Sequence, residues 1–228
     1  MQVLYFHQHF STTNGSSGTR SYEFAKKMIN SGHKVTMVCG SYWLADSGLK
    51  SDFKYGYRRG NVDGINVIEF ELLYSNNDGF LKRSLTFLRY SLMSLFVLFK
   101  IDYDLIFATS TPLTAGIPGI ISKIFSKKKF IFEVRDLWPE LPRAIGVIKN
   151  PFILKFMDIL ESTTYEYADA CIGLAPGIVE GIKKKKPSKI VSMIPNGCDF
   201  SLVRKANKSI RVSNDFNMVF AGAHGLAT

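Results

Sequence analysis

The stretch Val3-Leu-Tyr-Phe-His-Gln-His-Phe-Ser-Thr-Thr-Asn-Gly-Ser-Ser-Gly18 joins a short apolar run to a polar loop that is rich in serine and glycine. A helical pattern follows over residues 19–30 and stops at Gly32, and residues 35–39 form the next apolar run. A strand, a glycine loop, a helix and a second strand in this order are the opening unit of a doubly wound sheet. The sequence therefore predicts a Rossmann-like α/β fold.

Apolar runs and helical patterns alternate along most of the remaining chain, which predicts a parallel sheet flanked by helices. The predicted strands cover residues 65–70, 105–108, 130–134, 171–174 and 190–194. The predicted helices cover residues 80–101, 113–125, 152–167 and 178–185. Residues 41–64 contain several glycines and are predicted to be a loop.

The pattern also predicts the domain organisation. Residues 1–199 hold all of these elements and are expected to form one domain. Residues 200–215 are polar and basic, as an interdomain linker is, and residues 216–228 contain an apolar run that leads into a turn at Gly222 and Gly225. We expect these last residues to open a second α/β domain. The chain would then supply only one side of a site that lies between two such domains.

The formal charge of the 228 residues is +10, and the basic residues are clustered. Clusters of this kind suit an anionic partner such as a phospholipid surface or a pyrophosphate. Nucleic acid is not expected as a partner, because the aromatic residues are not interleaved with the basic ones and no recognition motif is present. Cys39, Cys171 and Cys198 lie far apart, which predicts a cytosolic setting without a structural metal. The N-terminus lacks the pattern of a signal peptide.

Residues 80–101 are strongly apolar, but their longest uncharged run is about half of the roughly 20 residues that span a bilayer. Two hypotheses fit this segment. It is either a helix that packs on the sheet, with its second face covered by residues 41–64, or a helix that lies on a membrane surface with basic residues at the headgroups. The basic residues that the second hypothesis uses are Lys82, Arg83, Arg89, Lys183, Lys184, Lys185 and Lys186.

The glycine loop after the first strand is the first candidate site. Gly15 and Gly18 allow a close approach of the backbone, and a helix that begins near Thr19 offers N–H groups to an anion. The spacing is G-x-x-G rather than G-x-G-x-x-G, and no acidic residue ends the second strand where a dinucleotide ribose would need one. A phosphate site and an ordinary strand-to-helix turn both fit this loop.

The second candidate site is the segment Glu133-Val-Arg-Asp-Leu-Trp-Pro-Glu140, which directly follows a predicted strand. Ligands of doubly wound folds bind at the carboxyl ends of such strands. Arg135 could hold a phosphate or a carboxylate through two hydrogen bonds, and Asp136 could accept a hydrogen bond from a sugar hydroxyl. The alternative is a structural pair of Arg135 with Asp136 or Glu140, with Trp138 packed in the core.

Taken together, these features resemble the amino-terminal domain of glycosyltransferase family 4, whose members are retaining enzymes of GT-B architecture. The segments that carry the resemblance are the first strand with its glycine loop, Ser31-Gly-His-Lys-Val35, Pro195-Asn-Gly-Cys-Asp199 and Phe220-Ala-Gly-Ala-His-Gly225. The segment Arg135-Asp-Leu-Trp-Pro-Glu140 looks like the subgroup that builds bacterial surface polysaccharides, including the N-acetylfucosaminyl (fucosamine) transferases of O-antigen and capsule assembly.

The resemblance implies two Rossmann-like domains that face each other across a cleft, with the acceptor on the first and the nucleotide-sugar on the second. The residues that would meet the donor phosphates are Gly15, Ser16, Ser17, Gly18, Gly222 and Gly225. Arg135 and Asp136 take the position where many members keep a histidine near the reacting sugar, so they are the candidate catalytic residues. The candidate residues for the acceptor side of the cleft are Thr109, Ser110, Glu133, Trp138 and Glu140.

For the whole enzyme, the resemblance implies transfer of a sugar from a nucleoside-diphosphate donor to an acceptor hydroxyl, with retention and without a metal or another cofactor. The implied acceptor is a saccharide on polyprenyl diphosphate at the cytoplasmic face of the inner membrane, to which the enzyme would bind peripherally. The paired glutamates and the phosphate-binding Arg and Lys of the family belong to the second domain. The chain by itself is therefore expected to be inactive.

Two other functions remain open on the sequence. An NAD-dependent sugar-nucleotide epimerase or short-chain dehydrogenase also opens with a glycine loop, and Tyr22-x-x-x-Lys26 matches its catalytic pair, although here the pair lies in the first helix. A non-enzymatic module that binds a membrane surface would account for the basic clusters and for residues 80–101. Tight binding of NADH would favour the first of these, and lipid binding without transferase activity would favour the second.

Overall fold

The computed structural model describes residues 1–74 and 78–197 of the chain. The strands are Gln2–Phe6 (β1), Lys34–Tyr42 (β2), Tyr57–Val62 (β3), Ile65–Tyr74 (β4), Leu105–Thr109 (β5), Lys129–Val134 (β6), Ala170–Gly173 (β7) and Val191–Met193 (β8). The helices are Arg20–Asn30 (α1), Phe80–Leu98 (α2), Ile117–Phe125 (α3), Glu140–Ala144 (α4), Pro151–Tyr167 (α5) and Pro176–Lys185 (α6).

The strands form one sheet in the order β3-β4-β2-β1-β5-β6-β7-β8. Its neighbours pair in parallel except for β3 and β4, so the predicted parallel sheet flanked by helices is confirmed, with one antiparallel strand at its edge. From β1 the chain passes to β2 on one side and returns to β5 on the other, so the winding reverses between β1 and β5. The crevice at the carboxyl ends of these two strands is where doubly wound sheets bind ligands.

The central strand β1 is buried on both faces of the sheet. Leu4 and Phe6 join a cluster that includes residues of α2, α5 and α6, whereas Val3 and Tyr5 join a second cluster that includes Ala25 of α1. Successive side chains of a strand point to opposite faces, which produces this division. Because both faces are packed, the carboxyl end of β1 is held firmly in the crevice.

Residues 41–64 are not the continuous loop that the sequence predicts. β2 extends to Tyr42, and the edge strand β3 pairs with β4 through a turn at Asp63 and Gly64. These two residues have φ values of 51° and 88°, which suits a two-residue hairpin turn of type I′. The prediction failed because β3 is a polar strand at the edge of the sheet, so it lacks the apolar run on which the other strands were recognised.

Other element boundaries also differ from the prediction. The predicted helix 113–125 is divided into a 3₁₀ turn, Leu113–Gly116, and α3, and the short helix α4 was not predicted. Cys39 and Cys171 are buried, and burial raises the pKa of the Cys171 thiol to about 12. Cys198, the expected linker and the expected second domain with Gly222 and Gly225 lie outside the described residues.

The α2 helix is apolar on two sides. Tyr90, Val97 and Leu98 pack into the core, whereas Leu85 and other residues of the opposite side are exposed. Residues 41–64 therefore do not cover the second face of α2, and the first hypothesis for this segment is wrong on that point. No helix in the described part of the chain combines the length and the apolar character that crossing a bilayer requires.

Candidate functional site

A cleft opens at the carboxyl edge of the sheet, at the reversal of the winding. Its cavity of about 220 Å³ is lined by His7, His9, Ser17, Gly18, Tyr42, Thr111, Arg135 and Asp136. The histidines follow β1, Thr111 follows β5, and Arg135 and Asp136 follow β6, so three adjacent strands deliver these side chains to one place. The structure thus brings four of the predicted site residues together, namely Ser17, Gly18, Arg135 and Asp136.

The first half of the glycine loop is fixed by packing against the segment after β2. Ser16 donates its backbone N–H to the carbonyl oxygen of Leu44 at 2.8 Å. A Cβ on Gly15 would lie 2.2 Å from the Ser11 hydroxyl oxygen and 2.7 Å from the backbone nitrogen of Asp46, which are distances that real Cβ atoms do not have. Gly15 is therefore required for the close approach of two backbone segments.

The second half of the loop is open to the cleft. A Cβ on Gly18 would meet only the Arg135 Nη2 atom, at 3.8 Å, which is ordinary van der Waals contact. The side chain of Thr19 does not cap α1, so the first N–H groups of this helix remain for a ligand. The helix N-terminus carries a partial positive charge. Of the two halves, the one at Ser17 and Gly18 has the geometry of an anion site.

Arg135 is the cationic side chain of the cleft. Its backbone N–H donates to the Ser110 hydroxyl at 2.9 Å, which fixes the start of this segment on the end of β5. Among the described residues, no carboxylate lies within 4.0 Å of its guanidinium, so the alternative pair with Asp136 or Glu140 is not formed there. Burial raises the pKa of Asp136, and the charge of Arg135 opposes this rise.

Two histidines that are not among the predicted site residues also face the cleft. His7 is buried, with its Nδ1 atom 2.6 Å from the Ser21 hydroxyl oxygen. Burial lowers the pKa of His7, and the charges of Arg135 and His9 lower it further. Burial likewise lowers the pKa of His9 to about 4, with contributions from Arg135 and Arg83. Both rings are therefore neutral at pH 7, and they leave the positive charge of the cleft to Arg135.

These pKa shifts predict that the protein loses stability as the pH falls below 6.5. In that range the unfolded chain binds protons at His7 and His9, whereas the folded chain does not, so the free energy of unfolding decreases with falling pH. For His9, a change from pH 7 to pH 5.5 is expected to cost about 1 kcal/mol. Thermal unfolding at both pH values measures the loss, and the variant His9→Asn should lose less over the same interval. An equal loss in both proteins would contradict this origin.

Glu133 does not line the cleft; it forms a buried ion pair with Arg20, and Thr109 is hydrogen-bonded to the same carboxylate. The Arg20 Nε atom donates to one carboxylate oxygen of Glu133 at 2.8 Å, and the Thr109 hydroxyl donates to the other at 2.9 Å. The two terminal nitrogens of Arg20 donate to the carbonyl oxygens of Ile194 and Pro195, each at 2.7 Å. Glu133 and Thr109, which were expected on the acceptor side, therefore join α1 to the segment after β8.

Trp138 and Glu140, also expected on the acceptor side, do not line the cleft. The backbone N–H of Trp138 donates to the buried carboxylate of Glu161 at 2.9 Å, and its indole packs against the core, as the alternative hypothesis held. Glu161 also accepts hydrogen bonds from the Tyr165 hydroxyl and from Lys185. Glu140 begins α4 and is exposed. The Glu161 carboxylate therefore holds the far end of the segment that carries Arg135.

A larger hollow of about 560 Å³ opens at the opposite edge of the sheet, near the amino ends of β1 and β5. The Tyr103 hydroxyl lies 2.9 Å from that of Ser122 and 3.2 Å from that of Ser126, and Asp104 accepts the backbone N–H of Gln2 at 2.7 Å. These polar groups already bond within the protein, and this edge is not where the winding reverses. The cleft at the carboxyl edge is therefore the candidate site, although its volume is smaller than that of the hollow.

The possible dehydrogenase pair lies on the outer side of α1. The Tyr22 hydroxyl donates to Asp63 at 2.8 Å, and the Lys26 ammonium group donates to the carbonyl oxygen of the same residue at 3.0 Å. Burial and the bond to Asp63 raise the pKa of Tyr22 to about 12. A tyrosine that acts as a base near pH 7 needs the opposite shift. The structure therefore does not favour the epimerase or dehydrogenase hypothesis.

The family model of Glycosyltransferase Family 4 matches residues 17–202. The chain belongs to glycosyltransferase family 4. The region that the family model matches begins inside the glycine loop and includes Arg135 and Asp136, whereas His7 and His9 lie before it. No curated protein matches the sequence.

Solved structures share the fold of this family 4 chain at low sequence identity. The E. coli structure described as trehalose-6-phosphate bound with UDP-2-fluoro glucose matches with a TM-score of 0.58 and 9 % identity, over 88 % of this chain and 50 % of that one. Sucrose-phosphate synthase from Thermosynechococcus elongatus matches with a TM-score of 0.55 and 12 % identity, over 88 % and 91 % of the two chains.

The α,α-trehalose 6-phosphate synthase from Burkholderia multivorans matches with a TM-score of 0.53 and 10 % identity, over 86 % of this chain and 48 % of that one. The family 4 chain thus spans about half the length of two of these three proteins. At these identities the likeness concerns the fold. The mostly parallel sheet flanked by helices is that of a Rossmann-like GT-B domain.

Proposed function

We propose that this chain is the acceptor-binding half of a retaining glycosyltransferase that uses a nucleoside-diphosphate-sugar. The acceptor would be a saccharide on polyprenyl diphosphate, in the synthesis of a bacterial surface polysaccharide such as O-antigen or capsule. Residues 1–199 would form the acceptor domain, residues 200–215 the linker, and residues 216–228 the start of the nucleotide-sugar domain. The observation that carries the proposal is the cleft in which Arg135 faces Gly18 at the uncapped N-terminus of α1.

The donor side of this cleft suits a diphosphate that gains charge as it leaves the sugar. Gly18 lets the backbone come close, the N-terminus of α1 offers N–H groups, and Arg135 adds a full positive charge. Donors that are already in place stabilise such a developing charge most effectively. A helix N-terminus and an arginine can meet this charge together, so we propose a transfer that requires no metal.

The acceptor side of the cleft offers groups that suit a saccharide. The Thr111 hydroxyl is buried and has no hydrogen-bond partner within the described residues, so it is available to a polar ligand in the cleft. Asp136 and the neutral His7 lie in the same cavity and could bond sugar hydroxyls. Ser110 and Glu161 do not face the acceptor in this proposal. They position Arg135 and its segment instead.

A polyprenyl-linked acceptor is embedded in a bilayer, so we place the reaction at the cytoplasmic face of the inner membrane, with the enzyme bound peripherally. The exposed apolar side of α2 supports this location, as do the basic residues Lys82 and Arg89 beside it. The partners in this proposal are a nucleotide-sugar, a lipid-linked saccharide and the membrane.

The variant Arg135→Met tests the proposal, with Arg143→Met as its control, since Arg143 is an exposed arginine of α4 that does not line the cleft. Losing charge-assisted hydrogen bonds should weaken binding of a short-chain polyprenyl-diphosphate saccharide and of UDP-glucose by roughly tenfold or more. Arg143→Met should bind as the unmodified chain does. Calorimetry or NMR titration measures both. Tight binding of NADH, or binding that Arg135→Met leaves unchanged, would contradict the proposal.

A further inference from the structure

We propose that α2, α3 and α5 together form a surface that docks on an anionic phospholipid bilayer. This surface, called the three-helix surface below, consists of Leu85, Leu92 and Phe96 on α2, Phe125 at the end of α3, and Phe152 and Phe156 on α5, with the basic residues beside them. Only its purpose, the delivery of a lipid-linked acceptor, rests on the proposed function. The docking itself stands on the exposure and the charge of these helices.

The apolar side chains of the three-helix surface are unusually exposed. Phe152 is 80 % exposed, Phe125 73 %, Phe96 68 % and Leu85 66 %. The three helices lie on one face of the sheet, where α2 packs against α3 and α3 packs against α5. Soluble proteins rarely expose several large apolar side chains on adjacent helices unless something covers them.

The spacing of the exposed apolar residues shows that α2 and α5 each carry a continuous apolar stripe. On α2, residues 81, 85, 88, 92 and 96 recur at intervals of three or four positions, and the stripe ends at Phe99, directly after the helix; all of these side chains are exposed. On α5, residues 152, 156 and 159 recur in the same way and are also exposed. A stripe of this period runs along one side of a helix, which is the form that an interfacial helix lays into a membrane.

The charges beside the three-helix surface fit an anionic layer. The α2 helix contains no acidic residue, and at 3.6 residues per turn Lys82 and Arg89 fall on one flank of its apolar stripe. The exposed Lys100 lies in the turn that follows the helix. Lys82 is paired with Asp78, but its side chain stays 66 % exposed. Lys155 of α5 is exposed as well. Long basic side chains can reach lipid phosphates while their stems lie on apolar surface.

The lysine run of α6 contributes less than the sequence indicates. Lys185 is bound to Asp158 and to the buried Glu161, and Lys186 is bound to Glu166. Of this run only Lys183 and Lys184 are exposed. The main basic residues that face headgroups are therefore those beside α2 and α5.

The N-terminal half of α2 also lies against the cleft. The ring of Phe87 is 6.2 Å from that of His9, and the charge of Arg83 contributes to the lowered pKa of His9. A lipid-linked acceptor could thus keep its chain in the bilayer beside α2 while its saccharide enters the cleft. A bilayer fits this surface better than a second copy of the chain does, because two chains of charge +10 repel each other.

Flotation of the 228-residue chain with vesicles tests the docking, without any sugar nucleotide. Vesicles of phosphatidylcholine with about one third phosphatidylglycerol should bind the chain, and pure phosphatidylcholine should bind it more weakly. The variants Leu85→Glu and Phe156→Glu should each lower the binding constant by roughly tenfold, because each replaces an apolar contact by a charge. Tyr55→Glu is the matched control, since Tyr55 is 99 % exposed and lies next to the edge strand β3.

Several results would overturn this proposal. One is an unmodified chain that fails to float with anionic vesicles, and another is a Phe156→Glu variant that floats as well as the unmodified chain. A dimer in solution that Leu85→Glu dissociates would assign the surface to a second copy. Each variant is expected to stay folded, because the substituted side chains lie outside the core. Thermal unfolding of each variant checks this. Since no donor or acceptor is present, a failure here leaves the transferase proposal standing.

Discussion

Replacing Arg20 by methionine is expected to lower the free energy of unfolding by about 3–5 kcal/mol, which is typical of a broken buried ion pair. The side chains of Arg20 and Glu133 are 8 % and 1 % exposed. Without Arg20, the Glu133 carboxylate would stay buried with only the Thr109 hydroxyl to compensate it. The carbonyl oxygens of Ile194 and Pro195 would each lose a donor as well. Urea unfolding followed by circular dichroism measures the change.

Two further variants separate the ion pair from a general loss of charge. Arg143→Met removes an exposed arginine and should change the stability by less than about 0.5 kcal/mol. The double variant Arg20→Met with Glu133→Gln removes both charges, so it should be more stable than Arg20→Met alone. If Arg20→Met unfolds at the same urea concentration as the unmodified chain, the ion pair does not hold α1 to the end of β8.

Gly15→Ala and Gly18→Ala are expected to have opposite consequences, although both change a glycine of the same loop. A Cβ on Gly15 meets the backbone of Asp46 at 2.7 Å, so the variant must displace main chain and should lose about 1–3 kcal/mol of stability. A Cβ on Gly18 meets only the end of Arg135, at 3.8 Å, so the fold should tolerate it.

Binding separates the two glycines further. If an anion sits on the loop at Gly18, the added methyl group of Gly18→Ala should weaken the binding of pyrophosphate by several-fold, while the melting temperature stays close to that of the unmodified chain. Gly15→Ala should lower the melting temperature by several degrees. Equal melting temperatures for the two variants would show that the loop does not divide into a packed half and an open half.

Most of the fold could be predicted because its strands are buried on both faces. β1, β5 and β6 appear in the sequence as short apolar runs, and each is followed by polar residues at the point where it ends. β3 could not be recognised in this way, because an edge strand with one antiparallel neighbour can be polar throughout. Its hairpin turn did leave a local signal, because Asp63-Gly64 is a favoured pair for a two-residue turn, but the pairing of β3 with β4 also depends on neighbours that no local pattern displays.

The candidate site could be predicted only in part. The sequence places Glu133 and Arg135 two residues apart, and it cannot show that the first is bound to an arginine 113 positions away while the second faces the cleft. Arg20 gives no signal, because one arginine at the start of a helix is commonplace. His7 and His9 carried a usable signal, since polar residues directly after a buried strand reach the ligand edge of such a sheet.

The exposure of the three-helix surface could not be predicted either. The periodicity of α2 showed that the helix is apolar on more than one side, but not which side meets the sheet. That depends on α3 and α5, which are distant in sequence and pack beside α2 only in the folded chain. The sequence did not show that the apolar stripe of α5 is exposed, because an exposed apolar side has the same residue pattern as a buried one.

We propose that the cleft between Gly18 and Arg135 receives the diphosphate of a sugar donor. An NMR titration of the ¹⁵N-labelled chain with pyrophosphate, and then with UDP-glucose, tests it most directly. We expect the largest amide shifts to fall on Gly18, Thr19, Arg135 and Asp136. The dissociation constant should be on the order of 1 mM, since in the proposed enzyme this domain makes only part of the contacts. Shifts centred on the hollow at Tyr103 and Ser122, or no shifts at saturating pyrophosphate, would contradict it.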